Sequence, residues 1–396
     1  MRNIIGVPAT EGDFYNRPQI IRSITEGLSR SSNILLTAPR RVGKTSVMMY
    51  LLHNSQEPYF FLYKDVEGIS TSNGFFKEIL YSILKDKQIA QSPSVAERIK
   101  SLPGKFFKSI KALNIGLEGA SIEFQDNHEQ QEHNYLEELQ MLLSRLDLGG
   151  KKIIMMLDEF PWAIENIVKK SNLEEASRFL QANRSLRLTP EFQQKIQFIY
   201  AGSIGLNATV SRLGISASVN DLHPINVSPL SQEEAKDMIQ QIAATESITI
   251  TNIAIQHLLE KIGWLIPFYI QLAIKEAKDL LPDNREIDEH LMNKAFDQII
   301  EYRNNNLFHH WKSRLDTSFV KNELKFVHVV LSYMAQNETM HYHNIHNLAV
   351  KHKVAEPKQV LETLKYDGYV NNQEDKQVYR YNSPILKLWW QRYVCK

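Results

Sequence analysis

Through the first half of the chain, short unbroken apolar runs alternate with stretches in which apolar residues recur every three or four positions. The runs at 34–36, 59–63, 153–157 and 196–200 predict strands, with 221–227 a fifth candidate. The first three are apolar throughout rather than alternating, which fits parallel strands covered on both faces. A helical pattern follows the first run at 47–52, and another at 135–146 precedes the third, stopped by Gly149-Gly150. Strand and helix in alternation are the sequence form of βαβ units, so this half predicts an α/β domain around a parallel sheet. Residues 100–133 break the pattern, carrying Gly104, Gly116, Gly119 and a polar tract with no sustained period. They are expected to form an insertion or long connection, and no function attaches to them.

Past Val227 the strand runs give way to amphipathic helix patterns, and Ser228-Pro229-Leu230-Ser231 marks the change. Ser231 with Glu234 reads as a capping box for a helix to about Ala243. Asn252 is placed to cap a second helix ending at Gly263, and Pro267 to open a third. A helical lid on the α/β core is the expected arrangement. The last segment reads as helices at 325–336, 343–351 and 357–366, then two short strand runs around the polar loop 371–377. Three helices and a hairpin predict a winged helix-turn-helix, with 357–366 as its recognition helix. The expected division is therefore 1–229 for the core, 230–318 for the lid and connecting helices, and 319–396 for the winged helix.

Two motifs inside the first half carry chemistry. Ala38-Pro39-Arg40-Arg41-Val42-Gly43-Lys44-Thr45-Ser46 lies between the first strand and its helix, where a phosphate-binding loop would lie. Such a loop needs backbone N–H groups turned inward, a Lys for the β- and γ-phosphates and a hydroxyl for Mg²⁺, and Gly43, Lys44 and Thr45 supply those parts. The third strand ends in Asp158-Glu159, the form of a Walker B strand. Ligands of open α/β sheets collect at the carboxyl ends of strands, so Asp158 is expected to hold Mg²⁺ and Glu159 to orient the attacking water. ATP or ADP with Mg²⁺ is the cofactor these residues predict, and ATP hydrolysis the activity.

Composition changes this picture little. The 396 residues are enough for two or three domains, and a net charge of +1 argues neither for nor against a nucleic-acid partner. Residues 319–396 carry eleven Lys or Arg against seven Asp or Glu, an excess of +4. In the recognition region Lys351, Lys353, Lys358 and Lys365 are interleaved with Glu356, Glu362 and Asp367, so duplex DNA and a protein partner both stay open. Cys395 is the only cysteine, which excludes an internal disulfide and a CxxC metal site. No leader-like or membrane-spanning run is apparent, and a cytoplasmic, non-membrane protein is expected. His309, His310, His341, His343 and His346 lack a completing Cys or carboxylate pair and read as surface or capping residues. Trp389, Trp390 and Tyr393, at helical spacing, read as a core or docking cluster.

Taken in order, these motifs resemble the archaeal-type ATPases of the STAND branch of AAA+-related P-loop NTPases. The resemblance rests on Phe14-Tyr15-Asn16-Arg17, the loop from Ala38 to Ser46, Asp65-Val66-Glu67-Gly68, Leu157-Asp158-Glu159-Phe160-Pro161, Gly202-Ser203, Gly263 with Pro267, and the C-terminal Asn382-Ser383-Pro384 and Trp389-Trp390. It implies that Ser203 senses the γ-phosphate, that Tyr15, Arg17 and Pro267 border the adenine, and that Arg40 and Arg41 pack or bind locally. It also implies a nucleotide-driven switch that can self-assemble. An arginine finger leaves no fixed spacing, and Arg184, Arg187 and Arg212 are the candidates near the sensor strand.

Overall fold

The computed structural model describes residues 1–54, 57–92, 134–202, 205–281 and 286–395, so the expected insertion at 100–133 lies outside the described residues. The described chain forms two compact units. One comprises Arg17–Thr37 and Lys44–Asn226, and the other Met1–Asn16, Ala38–Gly43 and Val227–Lys396.

The first unit is built on five parallel strands: β1 (Ile34–Thr37), β2 (Tyr59–Asp65), β3 (Lys152–Asp158), β4 (Ile196–Ala201) and β5 (His223–Asn226). Their order across the sheet is β2-β3-β4-β1-β5. All five predicted strands form. Every residue of β3 from Ile153 to Leu157 has no exposed surface, which is why that run is apolar without alternation. β2 and β3 pair in register from Tyr59 opposite Lys152 to Asp65 opposite Asp158, so both end in an aspartate at one level.

An aromatic cluster holds the helix that succeeds β3. Phe75 and Phe179, from helices Ser72–Lys85 and Leu173–Leu188, lie edge to face at 4.8 Å. Phe160, at the start of helix Phe160–Lys170, lies 4.6 Å from Tyr200 of β4. Each such pair adds about 1 kcal/mol beyond its buried area. The cluster anchors the first turn of that helix, and with it the strand-to-helix turn at Glu159.

In the second unit the helices Gln232–Glu246, Asn252–Ile262, Pro267–Asp279 and Glu289–Ile299 succeed one another. The capping box forms as predicted: Glu234 N donates to Ser231 Oγ at 3.1 Å, and Ser231 N to Glu234 Oε2 at 2.8 Å. The next cap differs from expectation by one residue. Thr251, in extended backbone, accepts from Ala254 N at 3.1 Å, and Asn252 is already helical. Threonine and asparagine both cap well, so the sequence alone does not choose between neighbours.

Helix Lys321–Asn337 is followed by β6 (Thr339–His341), helices Tyr342–His352 and Pro357–Tyr366, then β7 (Val370–Asn371) and β8 (Val378–Tyr381). The three strands form an antiparallel sheet in the order β6-β8-β7. Helices form over the predicted stretches 325–336, 343–351 and 357–366, and strands on both sides of the loop 371–377, with β6 added. His341 caps its helix by accepting from His343 N at 3.2 Å, as the capping reading anticipates. Trp389 and Trp390 are buried and donate to Asn305 Oδ1 at 2.8 Å and Ser332 Oγ at 3.1 Å, so they belong to the core. Asp367 is no surface acid. It pairs with Arg314 at 2.7 Å, both side chains 2% exposed, and so drops out of the surface charge near helix Pro357–Tyr366.

Candidate functional site

Among the described residues of the first unit, one carboxylate collects more donors than a strand end requires. Asp158, 4% exposed, accepts from Thr45 Oγ1 at 2.6 Å and from the Tyr63 hydroxyl at 3.3 Å, both on Oδ2. Its Oδ1 accepts from Glu159 N at 3.0 Å. The Thr45 bond has the short length of a charge-assisted contact. Lys44 opens helix Lys44–His53 beside it and is itself buried. The two motifs read separately in the sequence therefore meet at one oxygen.

Burial raises the Asp158 carboxyl above its ordinary range, while the Thr45 hydrogen bond and the Lys44 charge pull it down. Burial, with Asp158 adjoining, also pushes the Tyr63 phenol up, so that it remains a donor. A hydroxyl and a buried carboxylate are hard oxygen donors of the kind Mg²⁺ takes, usually alongside water and substrate phosphates. The residues present fit that ion. Among the described residues no group of three or more His, Cys, Asp or Glu side chains offers a separate metal cage.

Glu159 is half-buried and left-handed, at φ 57 and ψ 31, where it caps helix Phe160–Lys170. For a residue with a side chain this conformation costs of order 1–3 kcal/mol, and it persists where packing over-determines it. Phe160 and Pro161, both buried, supply that packing. The turn directs the chain away from the strand immediately after Asp158.

Before Lys44, the loop bends through Arg41 at φ 68 and Gly43 at φ 106, the latter open only to glycine. Residues 38–43 group with the second unit. There the Arg41 guanidinium lies 3.7 Å from the centroid of the Phe268 ring, one residue after Pro267, and burial lowers its pKa to about 10. Pro39 lies against the turn at the end of helix Pro357–Tyr366. A Cβ on Gly368, at φ 84, would come within 3.0 Å of Pro39 Cβ and 2.4 Å of the Trp264 ring. Val42 is buried, and Arg40 and Ser46 are half-buried.

The residues tied to the adenine by resemblance fall in both units. The Tyr15 hydroxyl donates to Asp237 at 2.9 Å, in the second unit. Arg17 is buried at the start of helix Pro18–Ser29, in the first. Pro267 is the first residue of its helix, as predicted. Ser203 lies outside the described residues, as does the side chain of Arg212. Arg187 cannot project as a finger from its position. Its side chain has no exposed surface and binds both Asp221 oxygens at 2.7 and 2.8 Å and Ser218 O at 2.7 Å. Arg184 is partly exposed and donates to Asn220 at 3.1 Å.

Sequence reading missed Tyr63 and Gly368. Tyr63 counts there as one more aromatic in a strand, and Gly368 carries no reading there. The only available signals were a polar tip inside a buried strand and a glycine directly before a tyrosine and a strand, both weak.

The strand order β2-β3-β4-β1-β5, a phosphate-type loop after β1 and the Thr45–Asp158 pair at the end of β3 define a P-loop NTPase fold of the AAA+ type, with helices and a small C-terminal sheet domain after it. Comparison with solved structures agrees. The chain is similar to the Walker-type ATPase PABY2304 of Pyrococcus abyssi, at 16% identity and a TM-score of 0.64, over 98% of this chain and 99% of that one. It is also similar to the ORC2 protein of Aeropyrum pernix, solved as ADPNP–ADP complexes, at 13% identity and a TM-score of 0.52, over 96% and 92% of the two chains. At these identities the likeness is one of fold. No family model matches the chain, and no curated protein matches it.

Proposed function

We propose that the chain is a Mg²⁺-dependent ATP-binding and ATP-hydrolysing switch of the STAND/AAA+ type, whose nucleotide state governs self-assembly and the presentation of its C-terminal winged helix. The observation that carries this reading is the 2.6 Å bond between Thr45 and the buried Asp158, with Lys44 buried beside them. A bound Mg²⁺ would supply the charge that neutralises developing negative charge on the phosphates.

Each residue then has a task. Lys44 binds the β- and γ-phosphates. Thr45 and Asp158 hold the ion, Thr45 through its hydroxyl oxygen while its O–H still donates to Asp158. Glu159, held half-buried by its left-handed turn, orients and polarises the attacking water. Ser203 reads the γ-phosphate, and Tyr15, Arg17 and Pro267 border the base. Arg40 and Arg41 pack locally, in keeping with the Arg41 stack on Phe268. Turnover is slow if another copy or a partner must supply an arginine, and Arg187, committed inside the fold, is not that arginine.

Phosphate release tests the assignment of the base. Glu159→Gln keeps the size and hydrogen bonding of the side chain but loses its basicity, so hydrolysis is expected to fall by about 10²-fold or more with ATP binding preserved. A variant that hydrolyses ATP at the wild-type rate would remove Glu159 from the chemistry.

A further inference from the structure

On the reading that Thr45 and Asp158 hold a magnesium nucleotide, we infer that Tyr63 is a positioning residue of the metal half of the site, fixing the Asp158 carboxylate through its hydroxyl. Three donors from three elements meet this carboxylate: Thr45 from the helix after the loop, the Glu159 N–H from the turn after β3, and Tyr63 from β2. Two of them have other duties. Thr45 would ligate the ion, and the Glu159 N–H holds only Oδ1. Tyr63 is the donor that touches Oδ2 and has no other part in the chemistry.

The sheet geometry explains how it reaches. Tyr63 sits opposite Met156 in the parallel pairing, and Asp158 lies two residues beyond Met156 on the same face of β3. A diagonal neighbour is beyond most side chains but within reach of an aromatic one carrying a terminal hydroxyl. Without the hydroxyl, the carboxylate keeps one donor per oxygen and gains freedom to turn about its last bond. A cation site tolerates that loosening poorly, because the ligand must then be ordered when the ion arrives.

Tyr63→Phe removes the hydroxyl and keeps the ring. The expected result is nucleotide affinity in EDTA within about twofold of wild type, while Mn²⁺, used as a spin-active probe on the nucleotide-bound chain, binds roughly three- to tenfold more weakly. The Mg²⁺ concentration giving half-maximal hydrolysis should rise by a similar factor, with the saturated rate little changed. Unchanged Mn²⁺ affinity, or an equal loss of nucleotide affinity with and without the divalent ion, would overturn the inference while leaving the parent reading intact. A wild-type chain that binds nucleotide indifferently to divalent ions would overturn both.

Discussion

Asp158 shows how a few positions turn an apolar strand into a site. The sequence makes Thr45 and Asp158 legible, because a loop motif and a strand-end carboxylate are local patterns with a known meeting point at the strands' carboxyl ends. Tyr63 was not legible, since its hydroxyl finds Asp158 only through the β2–β3 register. Arg187 misled for a related reason. Its partner Asp221 lies 34 positions away, and nothing local marks an arginine as buried. His328 is another side chain whose state is set by its surroundings. It packs against Trp390, with ring centroids 5.4 Å apart, and burial lowers its pKa from 6.5 against the opposing pull of Asp316. The unfolded chain therefore takes up this proton first. The stability it contributes is present above pH 6.5 and is lost as pH falls through the lowered folded value. Urea unfolding at about pH 7.5 and 5.5 should show a loss on acidification that is smaller in His328→Gln. Equal losses in the two proteins would place the pH dependence elsewhere.

At the scale of elements, the strands were legible because full burial on both faces leaves an unbroken apolar signature, as from Ile153 to Leu157. Three-residue β6 leaves no such mark, and adjacent Thr251 and Asn252 are equally good caps. Gly368 belongs here too, because what it does depends on which elements come together. It ends helix Pro357–Tyr366 and also lets the Trp264 ring and Pro39 approach the backbone closely. Gly368→Ala meets two penalties at once, a positive φ and a Cβ within 2.4 Å of a tryptophan ring. The expected cost is about 1–3 kcal/mol, measured by chemical denaturation. A change under about 0.5 kcal/mol would mean that Trp264 moves aside freely.

At the scale of the whole molecule, the chain passes from one compact unit to the other within the phosphate-type loop. Residues 38–43 group with the C-terminal unit, and Lys44 onward with the sheet. The charge balance of residues 319–396 also differs from the one their sequence suggests, since the buried Arg314–Asp367 pair removes one acid from the surface. Among the described residues no helix is long and apolar enough to cross a membrane. The fold agrees with that of a solved Walker-type ATPase, but fold alone assigns no chemistry, and the proposed function rests on the cluster around Asp158. Calorimetric titration of ATP, with and without Mg²⁺, into wild type and Lys44→Ala tests it most directly. Binding to wild type that Mg²⁺ strengthens and a loss of at least about tenfold in the variant are expected. Equal affinity in the two proteins would contradict it.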